Sequence, residues 1–120
     1  MWISIVIPTC NRNDLLARCL DRLAPGAQTL DRAHYEVIVT DDGSTATAEP
    51  LVRDHYPWAR WTAGPRRGPA ANRNHGARLA GARWIAFLDD DCIPDRGWLG
   101  GYRQASADHP DRAVFEGRVY

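Results

Sequence analysis

Lysine is absent from this 120-residue chain, and all 15 basic residues are arginine. That excludes Schiff-base chemistry and the phosphate-binding loop that depends on a lysine. Cysteine is scarce: Cys10, Cys19 and Cys92 are odd in number and show no CxxC spacing. Neither a disulfide framework nor a zinc site follows, and a reducing, cytoplasmic setting is expected. Net charge is missing too. The 15 acidic residues offset the arginines, so no overall field favours nucleic acid or a membrane surface. No apolar run approaches the roughly 20 residues of a membrane span. The apolar start has no basic leader and is broken at Pro8, so it reads as a strand and not as a signal peptide. No repeat, low-complexity tract or linker divides the chain, and its length fits one domain over residues 1–120.

What is present is an alternation of two patterns. Buried strands are expected over residues 2–7, 35–40 and 84–88, where short apolar runs are bounded by turn residues. A shorter strand is expected over 58–62 and a last one over 112–119. Between them, Leu15, Leu16, Cys19, Leu20 and Leu23 recur at helical spacing behind Asn13, a capping residue type. A poorer helix is expected to end near His55. Pro69 suits the first position of another helix, and Gly76 within it implies close packing on a sheet. One more helix carries Trp98, Leu99 and Tyr102. Only residues 64–68 have the composition of a mobile loop. The expected architecture is α/β: a three-layer, mostly parallel, Rossmann-like sheet.

Asp89, Asp90 and Asp91 follow the apolar run Trp84-Ile85-Ala86-Phe87-Leu88 directly. Three carboxylates at a strand end repel one another unless something positive sits among them. A hard divalent cation, Mn²⁺ or Mg²⁺, would take oxygen ligands there and bridge to a phosphate-bearing substrate. The same run is also compatible with a solvated acidic turn. Position favours the site, because open α/β sheets bind ligands at the carboxyl ends of their strands. Thr9 and Asn11 follow the first strand, and Asp41 and Asp42 follow the second. Asp42 can accept hydrogen bonds from a base or ribose, Asp91 can bind a metal on a diphosphate, and Arg73 can pair with phosphate. Taken singly, Asp41-Asp42-Gly43-Ser44 is a turn and helix cap, and Arg73 is a surface ion pair. His34, His55, His75 and His109 show no ligand spacing. A dinucleotide-dependent oxidoreductase is disfavoured, since Pro8-Thr9-Cys10-Asn11-Arg12-Asn13 contains no GxGxxG. A structural domain with solvated acids is the remaining alternative.

Four stretches in order resemble the landmarks of family 2 glycosyltransferases, over nearly the whole chain: Ile5 to Arg12, Val37 to Thr45, Ala71 to Gly76, and Phe87 to Pro94. The resemblance implies a GT-A fold, expected to be incomplete at its C-terminus, and a UDP-, GDP- or dTDP-sugar donor. It implies inverting, metal-dependent transfer to an unknown acceptor. A truncated module that binds the nucleotide sugar without transferring it is the alternative. By the same resemblance, Pro8, Thr9, Asn11, Asp42, Arg73, Asp89 and Asp90 bind the nucleotide sugar. The DxD motif maps onto Asp89 and Asp91, with Mn²⁺ or Mg²⁺ as cofactor. Cys92 stands where the family often has a further aspartate, so no second ligand is expected from that position. Asp95, Asp108, Asp111 and Glu116 have no clear claim to be the base that inversion needs. The base is expected beyond Tyr120. Self-association through an exposed C-terminal strand is expected as well.

Overall fold

The computed structural model describes residues 1–117. Four strands form one parallel sheet: β1 (Ile3–Thr9), β2 (Tyr35–Asp41), β3 (Arg60–Ala63) and β4 (Trp84–Phe87), in the order β3-β2-β1-β4. The helices are α1 (Asn13–Asp21), α2 (Glu49–His55), α3 (Pro69–Leu79) and α4 (Trp98–Asp108), with a short 3₁₀ turn at Arg32–His34. The α/β expectation, parallel and with three layers, holds.

Register assigns the two faces. Ile3 pairs with Tyr35 and Trp84, and Ile5 with Val37 and Ala86. Odd positions of β1 and β2 therefore share one face, because side chains alternate along a strand. That face carries the main core. Ile5, Ile7, Val37 and Val39 pack there with Leu16, Cys19 and Leu20 of α1, Val52 of α2 and Leu99 of α4. Gln28, only 3% exposed, ties this layer together. Its amide donates to the Arg22 and Asp95 carbonyls and accepts from the Leu99 N–H.

The opposite face is covered by α3. A Cβ on Gly76 would lie 2.5 Å from Val6 Cγ1 and 3.0 Å from Thr40 Cγ2. The glycine is the close approach that its place inside a helix implied. Helix α3 covers mainly β1 and β2 and reaches β4 through Arg73 over Phe87, so Ile85 and Phe87 stay 40% and 49% exposed.

Strand β1 extends through Pro8 to Thr9, two residues past its expected end at 7. The amide direction explains this. The Val6 carbonyl accepts from Leu88 N–H, and the Thr9 carbonyl from Asp42 N–H. Even positions of β1 thus face β4 and odd ones face β2. Pro8 directs its missing donor toward the β4 side, where β4 has already ended at Phe87 opposite Val6. Strand β3 starts at Arg60, not 58, and β4 stops at Phe87. Asn13 is the first residue of α1 and not its cap: its side chain donates to the Thr47 carbonyl.

The last expected strand is a correction. Residues 112–117 form no strand, and Val119 lies outside the described residues. Phe115 stacks on Trp84 at 5.6 Å, while Val114 is 84% exposed. Among the described residues, 112–117 meet β4 through the Phe115 ring and not through a backbone ladder, so they present no strand through which copies could pair. Among the described residues, the sheet edge on that side is β4.

Candidate nucleotide-sugar and metal site

The carboxyl ends of β1, β2 and β4 meet the amino end of α3 around an open cleft of about 560 Å³. Pro8, Thr9, Asp42, Arg73, Asp89, Asp90 and Asp91 all line it, as do Cys10, Arg12, Arg66 and Asn72. Asn11 does not belong to that lining. Its backbone adopts φ of +54°, and its amide oxygen accepts from Ala46 N–H at 3.4 Å. It shapes the loop after β2. Asp95, Asp108, Asp111 and Glu116 are also outside the cleft lining.

Two aspartate turns face each other there. In the first, Asp41 points into the core and is 2% exposed. Its carboxylate accepts from Gly43 N–H at 2.8 Å, Ala48 N–H at 2.7 Å and Trp61 Nε1–H at 2.9 Å. Asp42 faces the other way and accepts the Arg66 N–H at 2.8 Å. The loop at 64–68 is therefore fastened to the site. Arg66 adopts φ of +58° and donates from its guanidinium to the Gly43 carbonyl. Gly64 passes so close that a Cβ there would collide with Asp42 Oδ1 and Asn72 Oδ1.

In the second turn, Cys92 N–H closes onto the Asp89 carbonyl at 3.1 Å. Asp89 and Asp91 project outward, while Asp90 turns in and is 3% exposed. Asp90 accepts from Thr9 Oγ1 at 2.8 Å, and Arg12 lies 3.4 Å from Asp90 Oδ1 and 3.4 Å from Asp91 Oδ2. Burial pushes the Asp90 carboxyl above its ordinary range. The Thr9 hydroxyl and the Arg12 guanidinium pull against that, and the neighbouring Asp91 and Asp89 charges add to it.

Oxygen atoms of Asp89 and Asp91 and the Cys92 sulfur lie within 4.8 Å of one another. Two outward carboxylates at that spacing suit a hard divalent cation. Cys92 was expected to offer no ligand, yet the turn returns its sulfur to the group. Burial, then the Asp89 and Asp91 charges, push its thiol up. Sulfur is a soft donor and a hard cation prefers oxygen, so the carboxylates dominate the donor set.

Arg73 reaches the cleft from α3, with its guanidinium 5.9 Å from the centre of the Phe87 ring. Sequence reasoning missed three residues. Arg12 carries the charge facing the triple aspartate. Arg66 fastens Asp42. Asn72, 2% exposed, donates to the Thr9 and Thr40 carbonyls and accepts from Thr40 Oγ1 at 2.6 Å, clamping β1 and β2 to α3. An arginine beside one strand end and three aspartates beside another were the available signal for Arg12. Nothing local marks a buried asparagine. His75 sits against Thr62 Oγ1 at 3.2 Å, between α3 and β3, as a structural histidine would.

Residues 4–120 match the family described as Glycosyl transferase family 2. The chain belongs to that family. Among similar glycosyltransferases, a validoxylamine A glucosyltransferase of Streptomyces hygroscopicus subsp. limoneus is 44% identical over 91 residues, covering 72% of this chain and 20% of that protein. A poly(ribitol-phosphate) beta-glucosyltransferase of Bacillus spizizenii is 33% identical over 117 residues, covering 92% and 18%. The chain thus spans about a fifth of the length of these relatives. Among solved structures, S. aureus TarS superposes with a TM-score of 0.81 at 24% identity, over 92% of this chain and 20% of that one, and supports the GT-A fold. A mannosyltransferase from Pyrobaculum calidifontis, in complex with GDP-Man and Mn²⁺, superposes with a TM-score of 0.65 at 26% identity, over 77% and 28%.

Proposed function

We propose that this chain is the donor-binding portion of an inverting, metal-dependent glycosyltransferase that uses a nucleotide-diphospho-sugar. One observation carries this: Asp42, just after β2, and the outward pair Asp89 and Asp91, just after β4, line a single cleft. Asp42 accepts from the base or ribose. Arg73 pairs with the diphosphate. Thr9 holds Asp90 inward, which leaves its two neighbours directed at the ligand. Asp89 and Asp91 would hold Mn²⁺ or Mg²⁺, which when bound would supply Lewis acidity toward a diphosphate. The Mn²⁺ and GDP-Man in the Pyrobaculum calidifontis neighbour support this donor class. The poly(ribitol-phosphate) and validoxylamine transferases support a sugar-transfer role without defining this chain's acceptor.

Calorimetric titration of Mn²⁺ with UDP, GDP or dTDP present tests the assignment. The parent should bind metal strongly only with a nucleotide, and Asp91→Ala should lose that binding. Equal binding by both proteins would overturn it. A second reading, a module that holds the donor without transferring the sugar, is favoured by one fact. No carboxylate after Asp91 among the described residues lines the cleft to serve as base. Donor turnover measured with and without a panel of acceptors separates the two readings.

A further inference from the structure

We infer that Arg12 is a built-in counter-cation: it competes with a divalent cation for Asp91 until a diphosphate draws it away, so that metal and donor bind as a coupled pair. This role presupposes the donor site proposed above.

The two carboxylates beside Arg12 are held differently. Asp90 has two partners, the Thr9 hydroxyl at 2.8 Å and Arg12 at 3.4 Å. It keeps its inward position if Arg12 leaves. Asp91 is different. Its side chain is 54% exposed, and among the described residues Arg12 is its one side-chain partner, at 3.4 Å. The same carboxylate is also one of the three groups gathered within 4.8 Å around the candidate cation position. One side chain is therefore claimed by two cations. Like charges so close oppose each other, and a divalent ion at Asp91 must displace the guanidinium or bind against it.

Arg12 is placed to leave. Its distances of 3.4 Å to both aspartates exceed the roughly 2.7–2.9 Å of a tight charge-assisted hydrogen bond. Its side chain is 46% exposed. It sits at the position preceding α1 and makes no side-chain cap there, so no helix end depends on it. It lines the same cleft as Asp42 and Arg73. A diphosphate in that cleft offers a guanidinium two anionic oxygens in fork geometry, a better partner than two loosely held carboxylates. Transfer of Arg12 to the phosphate frees Asp91 for the metal. By linkage, metal bound first must raise affinity for the diphosphate by the same factor.

Mn²⁺ binding to the whole chain is measured by calorimetry, alone and with saturating UDP or GDP, for the parent, Arg12→Gln and Arg12→Lys. Arg12→Gln should bind Mn²⁺ alone about tenfold more tightly, and the enhancement by nucleotide should shrink by about the same factor. Arg12→Lys keeps the charge and should bind Mn²⁺ alone as weakly as the parent. A purely structural ion pair predicts no gain in metal affinity on its removal. Unchanged or weaker Mn²⁺ binding by Arg12→Gln, beside normal nucleotide-dependent binding by the parent, would overturn the role of Arg12 and leave the donor site standing. A parent that binds no Mn²⁺ even with nucleotide would overturn both.

Discussion

The two aspartate turns share a plan and differ in what they do with it. Each follows a parallel strand, and each turns one carboxylate inward and others into the cleft. Asp41 receives three neutral N–H donors at 2.7–2.9 Å, all from groups fixed by backbone or packing. Asp90 receives one hydroxyl and one half-exposed guanidinium, and burial raises its pKa. Both carboxylates are almost fully buried, yet they are not equivalent. In the first turn Asp41 is the scaffold, its charge well solvated by N–H groups. The second concentrates negative charge that the protein only partly neutralises. Asp41 secures the end of β2, whereas the turn after β4 leaves two exposed carboxylates, Asp89 and Asp91, at the cleft.

The largest expected effect tests that difference directly. Asp41→Asn should cost about 2–3 kcal/mol in urea unfolding, since an NH₂ group then faces N–H donors that lose their acceptor. Asp90→Asn should cost less than about 1 kcal/mol, because the Thr9 hydroxyl can still donate to the amide oxygen and a buried charge is removed. Equal costs would break the comparison. Next comes the cleft-facing member of the first turn. Asp42→Ala should weaken nucleotide binding by about 1–3 kcal/mol while retaining the metal's contribution. Nucleotide affinity that does not change would reduce the whole turn to scaffolding. Gly64→Ala should act in the same direction, by about 1 kcal/mol, through the pressure of a new methyl on Asp42 and Asn72. Metal binding measured in the same titration should barely move.

The smallest effect concerns thiols. Cys19 is fully buried, and its Sγ lies 3.9 Å from the Asp89 carbonyl. Burial, followed by the charges around it, pushes its pKa to about 12. At pH 8 its thiolate population is on the order of one part in ten thousand. A disulfide reagent should modify exposed Cys10 first, and Cys19 only on unfolding. Rapid modification of all three would mean that the second turn opens readily.

Much of this was legible in the sequence, because apolar runs followed by carboxylates locate both strand ends and cleft. Which aspartate of each turn faces inward was not read. For the first turn, strand parity contains the answer: Asp41 continues the alternation of Val37 and Val39 into the core, and Asp42 takes the other face. For the second, the chain has left the sheet and parity no longer applies. Two groups distant in sequence, the Thr9 hydroxyl and the Arg12 guanidinium, meet Asp90 on its inward side. Arg12, Gln28 and Asn72 were missed for a related reason: their partners lie on other elements. Around Val114 and Phe115 the fault ran the opposite way: an apolar pattern beside the β4 edge brings a ring against Trp84 but does not by itself make a ladder.

Strand β1 outruns β4, and the step between them is where the cleft begins. Such a step normally leaves a backbone donor pointing at empty space and seeking a water, an anion or another strand. Pro8 leaves none. The floor of the cleft on that side is a pyrrolidine ring with no hydrogen to donate, and the polar groups of the lining stand around it. Replacing Pro8 with alanine would give the floor a voice: an N–H able to hold a water molecule or to template an additional strand where the sheet now stops.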